Sequence, residues 1–167
     1  MRVLAVCGSL QAASRNRDLI TRAVALAPSG LTVDVFDGLG DLPHFNPDLE
    51  ATPGPAVQRW RAALAASDAV LIACPEYGFS LPGVVKNAID WVIGSGELER
   101  KIVAITAASH HPERGLRGLA ALREPLTAVS ATIVGGRPIP RGPSFDDELG
   151  ALLAALVAAI RDRGGAA

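Results

Sequence analysis

Aromatic side chains and cysteines are scarce in this 167-residue chain, which holds one tyrosine, two tryptophans, four phenylalanines and two cysteines. With so few rings, a close-packed interior has to be filled by Ala, Leu, Val and Ile. The 49% apolar and 20% charged composition suits a compact domain and not a disordered chain. Cys7 and Cys74 alone make no disulfide framework. Charge of one sign is also lacking. The net charge is -1 with scattered basic residues, so neither a nucleic-acid groove nor a membrane-binding stripe is expected. No stretch reaches the roughly 20 uncharged apolar residues that span a bilayer. The first residues run into a strand pattern without a secretory cleavage signal, and a cytoplasmic location is the expectation.

What is present is alternation. Val3 to Cys7 reads as a short buried strand, and Leu19, Ile20, Ala23, Val24 and Ala27 recur at helical spacing after it, with Ser14 or Asn16 as the cap. Residues 31–36 alternate as a second strand. Residues 37–55 form a long connection, with Pro53 placed in the first turn of the helix that buries Val57, Trp60 and Leu64. The continuously apolar run 69–74 is a strand covered on both faces. Val84, Val85, Ala88, Ile89 and Val92 make the next helical stripe, with Lys86 and Asp90 as an i,i+4 pair outside it. Strand four spans 101–107. A helix on Leu116, Leu119, Leu122 and Leu126 is interrupted or ended near Pro125. Strand five spans 129–134, closed by Gly135 and Gly136. The final helix carries Leu149, Leu152, Leu153, Leu156, Val157 and Ile160, with Ser144 as its cap.

Five strand–helix units predict an α/β sandwich of three layers with a parallel sheet and right-handed crossovers. A phosphate-type loop after strand one favours the flavodoxin-like strand order 2-1-3-4-5 over the six-stranded alternative. The expected organisation is a single domain over residues 1–163 with a short tail at 164–167.

The first loop, Gly8-Ser9-Leu10-Gln11-Ala12-Ala13-Ser14-Arg15-Asn16, leaves a buried strand and enters a helix, so free backbone N–H groups converge there. Ser9, Ser14 and Asn16 add neutral donors, and Arg15 and Arg17 add charge. A phosphate monoester is the natural guest. Neither Gly-x-Gly-x-x-Gly nor a Gly-Lys-Ser/Thr loop occurs, which disfavours a Rossmann dinucleotide or a Walker-bound nucleoside triphosphate. In the 2-1-3 order, the loop Cys74-Pro75-Glu76-Tyr77-Gly78-Phe79-Ser80-Leu81-Pro82-Gly83 lies at the same sheet edge, and Tyr77 and Phe79 offer apolar faces to a planar ring. The loop Ser109-His110-His111-Pro112-Glu113 follows strand four. Its histidines match no strong zinc spacing, and a Cys74–His110 nucleophile is disfavoured by the apolar setting of the cysteine.

Gly8-Ser9-Leu10 with Ser14 and Asn16, and above all Pro75-Glu76-Tyr77-x-x-Ser80-x-Pro82-Gly83-x-x-Lys86-Asn87-Ala88-Ile89-Asp90-Trp91, resemble the NAD(P)H-dependent FMN reductases, flavodoxin-like proteins that include quinone, azo and chromate reductases. The resemblance covers most of the chain. It implies FMN as cofactor, NADPH or NADH as co-substrate, and a small electron acceptor such as a quinone, azo or nitro compound or free flavin, reduced by a ping-pong mechanism. Under it, Ser9, Gln11, Ser14 and Asn16 hold the FMN phosphate, and Pro75, Glu76, Tyr77 and Gly78 run along the ring and ribityl chain. Ser109 and His110 lie on the pyrimidine side. It also implies a homodimer or homotetramer, with Trp91, Val92 and Leu98 at the interface. A flavin-binding electron carrier or redox sensor is the alternative.

Two departures accompany the resemblance. Gln11 stands where the family usually has arginine, which removes one charge-assisted phosphate contact and leaves Arg15 or Arg17 to compensate. The segment Ser109–Glu113 replaces a glycine-rich stretch with a bulkier, stiffer one.

Overall fold

Why the strands read as unbroken apolar runs is visible in the two cores they divide. The computed structural model describes residues 1–165. Its strands are β1 (Arg2–Cys7), β2 (Thr32–Phe36), β3 (Ala69–Ala73), β4 (Ile102–Ser109) and β5 (Thr132–Pro140). They pair in parallel in the order β2-β1-β3-β4-β5. The helices are α1 (Arg15–Ala25), α2 (Pro55–Ala65), α3 (Gly83–Ile93), α4 (Leu116–Ala128) and α5 (Phe145–Gly165).

Alternate residues of each inner strand serve opposite faces. Leu4, Val6, Val70, Ile72, Val103 and Ile105 pack with Trp60 of α2, Ile89 and Trp91 of α3 and Leu119 and Leu122 of α4. Val3, Ala5, Leu71, Ile102 and Ala104 pack with Leu19 and Ile20 of α1 and Leu149, Leu153 and Leu156 of α5. Helices on both faces bury all of β3. The fold is the expected flavodoxin-like one. Lys86 Nζ and Asp90 Oδ1 form the anticipated pair, at 2.6 Å.

Several boundaries differ from expectation. The connection after β2 contains two short 3-10 turns, Leu39–Asp41 and Pro47–Leu49. It is fastened to α3: Trp91 Nε1 and Asn87 Nδ2 both donate to Pro43 O, at 2.7 and 2.9 Å. Helix α2 begins at Pro55 with Gly54 as its cap, and Pro53 stays outside, accepting from Gln58 Nε2.

Helix α4 continues through Pro125, because Leu122 and Leu126 are fully buried and the Pro125 carbonyl still closes the last turn on Val129 N–H. Strand β5 starts at Thr132 and runs past Gly135 and Gly136 to Pro140. Ile105 pairs with Gly135 and Thr106 with Arg137, so Gly136 is the extra residue of a bulge. Both glycines take positive φ, +73° and +106°, which side chains resist. The prolines are tolerated because β5 is an edge strand.

Ser144 precedes α5, but its hydroxyl donates to the Glu148 carboxylate instead of taking a backbone N–H. Helix α5 includes Gly164 and Gly165, where a tail was expected, and residues 166–167 lie outside the described residues. Trp91, Val92 and Leu98 are 0%, 0% and 1% exposed, which removes them from any subunit interface. They belong to this chain's own core. No described helix is long and apolar enough to cross a membrane.

Candidate functional site

The carboxyl ends of β1, β3 and β4 deliver three loops to one cleft of about 1060 Å³. Its first wall is the β1–α1 loop. Gly8 N–H donates to Ala73 O of the neighbouring strand at 2.9 Å. A Cβ at Gly8 would come within 2.9 Å of Val85 Cγ2 and 3.1 Å of Pro75 Cδ, so glycine is what lets the first loop press against the second.

Ser14 is the N-cap of α1 and accepts from Asn16 N–H at 3.3 Å. Asn16 is 4% exposed. Its Oδ1 accepts from Ala108 N–H at 2.9 Å and ties the helix start to the end of β4. Its amide nitrogen has no protein acceptor among the described residues, and neither do the backbone N–H groups of Ala13 and Arg15. Ser9 Oγ meets Tyr77 OH at 3.0 Å and takes Gln11 N–H at 3.3 Å. Arg17 is unavailable to this wall. Its guanidinium pairs with Asp37 at 2.7 Å, which raises its pKa. Of the two candidate compensators for Gln11, only Arg15 lines the cleft.

The second wall is a two-residue hairpin. Tyr77 and Ser80 exchange backbone hydrogen bonds, both 3.0 Å, around Gly78 and Phe79 at φ +56° and +63°. Positive φ at both central positions defines the tight turn that asks for Asn-Gly or Gly-Gly. A phenylalanine in the second place costs roughly 1–2 kcal/mol, and its ring is 69% exposed. The Arg117 guanidinium stands 4.4 Å over that ring. Glu76 turns the other way. Its Oε2 accepts from Arg117 and Gly118 N–H at 3.0 and 3.1 Å, so the carboxylate caps α4. Gly118 permits this approach, since a Cβ there would lie 2.9 Å from Glu76 Cα.

In the third loop, Ser109 is buried and its hydroxyl donates to His111 O at 2.9 Å. His110 and His111 are exposed on the rim. Cys74 lies beneath the site, with burial pushing its thiol up to about 12, so it is no nucleophile at neutral pH.

Of the residues singled out from sequence, Ser9, Gln11, Ser14, Arg15, Asn16, Pro75, Glu76, Tyr77, Ser109 and His110 all line this cleft, whereas Gly78 only forms the turn behind it. Arg117 and Gly118 were missed. Arg117 is exposed and Gly118 is buried on α4, and only the tertiary contact to Glu76 marks them. Phe79, expected to offer an apolar face to a planar ring, also lines the cleft, as does Arg114, which had no assigned role.

A parallel five-stranded sheet with its cleft at the β1/β3 switch point defines the flavodoxin-like class. The model of the NADPH-dependent FMN reductases matches residues 1–141, and the chain belongs to that family. It is 41% identical over 92 residues to an NAD(P)H-dependent FMN reductase of Pseudomonas aeruginosa, a match covering 54% of this chain and 49% of that protein. The chain thus matches about half the length of this and several other curated relatives. With a quinone reductase of Escherichia coli it shares 30% identity over 80% of this chain and 73% of that protein. Among solved structures, FerB, a flavoenzyme NAD(P)H:(acceptor) oxidoreductase from Paracoccus denitrificans, superposes with a TM-score of 0.85 at 28% identity, covering 96% of this chain and 97% of that one.

Proposed function

We propose that this protein is an FMN-dependent oxidoreductase that takes electrons from NADPH or NADH and reduces a small acceptor such as a quinone, an azo or nitro compound, or free flavin. The observation that carries the reading is the chemistry of the α1 end of the cleft. Ser9, Gln11, Asn16, Arg15 and free N–H groups at a helix N-terminus supply donors there, and no carboxylate stands among them. Asp18, the nearest acid in sequence, is held outside by Arg141 at 2.9 Å. That set fits the phosphate of FMN.

FMN bound there supplies reversible hydride-equivalent chemistry. The residues of this chain bind and orient it. Asn16 and Ser14 hold the helix start that receives the phosphate. The Tyr77–Ser9 hydrogen bond joins the two loops that flank the ribityl chain. The backbone of Pro75–Tyr77 forms the rigid wall for the ring, kept in place because Glu76 is fastened to α4.

Donor and acceptor occupy one open cleft in turn, which gives ping-pong kinetics. Residues 1–163 act as one FMN-binding domain. A cytoplasmic location and assembly into dimers or tetramers belong to the same reading, with the exposed Leu49 and Ile93 as apolar surface for association.

The test is the visible spectrum of the purified protein after adding FMN. A bound-flavin spectrum that bleaches with NADPH or NADH and recovers with a quinone is expected. Failure to retain FMN would overturn the reading, and FMN binding without nicotinamide turnover would reassign the protein as an electron carrier or redox sensor.

A further inference from the structure

The α4 end of the cleft carries cations that the rest of the protein does not satisfy. Arg2, Arg17, Arg22, Arg59, Arg61 and Arg141 each face a carboxylate. Of the arginines without an ion pair among the described residues, Arg15, Arg114 and Arg117 are the ones that line the cleft. Arg15 lies with the phosphate-holding loop, which leaves Arg114 and Arg117 at the other end. Of the two acids on this rim, Glu76 is spent on two N–H groups of α4, and only Glu113 opposes the arginines. Beside them, Phe79 is held out on its positive-φ turn with Arg117 on one face of the ring. At about 1060 Å³, the open cleft lies at the upper end of the roughly 300–1,000 Å³ typical of ligand sites.

We propose that Arg114 and Arg117, with the free face of Phe79 beside them, read the 2′-phosphoadenosine end of the nicotinamide donor, so that the protein prefers NADPH to NADH. The proposal rests on FMN occupying the α1 end. A phosphate monoester brings about two negative charges and oxygens that match the guanidinium fork. NADH has a hydroxyl in that place and gives the arginines nothing to pair with. Adenine is planar and stacks on an exposed aromatic face, while Arg117 on the opposite face of the ring is kept at the site before the donor arrives. Positive φ in a bulky residue marks strain stored where a ligand is clamped.

An anionic acceptor would use the same two arginines, so the experiment separates the two sources. With the FMN-loaded protein, kcat/KM is measured for NADPH and NADH, for an anthraquinone sulfonate and a neutral quinone, with adenosine 2′-monophosphate as inhibitor. The native protein should favour NADPH by about tenfold or more, the loss expected for a charge-assisted contact. Adenosine 2′-monophosphate should compete with NADPH. R114A/R117A should bring the donor ratio close to one through KM, and F79A should raise KM for both donors.

Equal use of the two donors by the native protein would overturn the site. So would an unchanged ratio in R114A/R117A with a raised KM for the sulfonate, which would mark an acceptor pocket instead. If the native protein retains no FMN, the reductase reading falls. Calorimetric titration of adenosine 2′-monophosphate into the flavin-free protein then still decides the arginine site.

Discussion

At the α1 end of the cleft the buried polar side chains already have partners within the protein, whereas at the α4 end two exposed arginines lack a carboxylate beside an aromatic ring held on a strained turn. Ser9, Ser14 and Asn16 are 2–4% exposed and hydrogen-bonded to Tyr77, to the start of α1 and to β4. Phe79 is 69% exposed at positive φ, and Arg114 and Arg117 have no carboxylate. On the proposed reading, the difference is that between a site for a resident ligand and a site for a passing one. A group that stays bound is best met by donors held rigidly before it arrives. A ligand that must leave each cycle is better met by exposed residues that surrender little packing when it goes.

Three substitutions test that contrast. The largest effect is expected for Gly118→Ala at the seam between the two ends. The added methyl meets the Glu76 backbone at 2.9 Å, which no rotamer change relieves. A loss of about 1–3 kcal/mol in urea unfolding is expected, together with weaker FMN binding. Unaltered stability would mean that the Glu76 loop is not the rigid wall described.

Asn16→Ala comes next. It leaves the part-buried Ala108 N–H without its acceptor, a cost of about 1–2 kcal/mol, and FMN affinity followed by fluorescence quenching should fall with it. If affinity fell while stability held, the α1 end would be organised by the ligand and not before it.

The smallest effect is expected for Phe79→Gly. Relief of roughly 1–2 kcal/mol of positive-φ strain is offset by the backbone entropy of glycine, about 0.5–1 kcal/mol, and by the lost cation–π contact. The melting temperature should therefore hold or rise slightly while donor KM worsens. A clear loss of stability would make Phe79 a structural residue and erase the contrast.

Part of this architecture is legible in the chain alone. Val3–Cys7 and Ala69–Ala73 are short and apolar on both faces, which only a covered parallel strand explains, and the loops that follow them must then share an edge. The cap at Ser14 is likewise local chemistry, since the hydroxyl and the N–H it takes are two residues apart. The extent of strand β5 was not legible, although its presence was. Gly135 and Gly136 read as a stop, because nothing in the one-dimensional pattern separates a bulge from a turn. Trp91 and Leu98, which the resemblance placed at a subunit interface, are core residues, and in sequence an apolar side chain looks the same whether its neighbour is the same chain or another.

The sequence by itself determined the layered α/β fold and the loops that follow strands one and three, since each follows from residue type and period over a few neighbouring positions, and it favoured the strand order through the phosphate-type loop after strand one. Only the tertiary structure decided what the charged residues do. Glu76 became a helix cap because α4 arrives 41 residues later. Arg17 was drawn off to Asp37, 20 residues on. Arg114 and Arg117 were left facing the cleft. A carboxylate or guanidinium takes its role from whichever opposite charge or free N–H comes within about 3 Å, and that is set by how the helices pack.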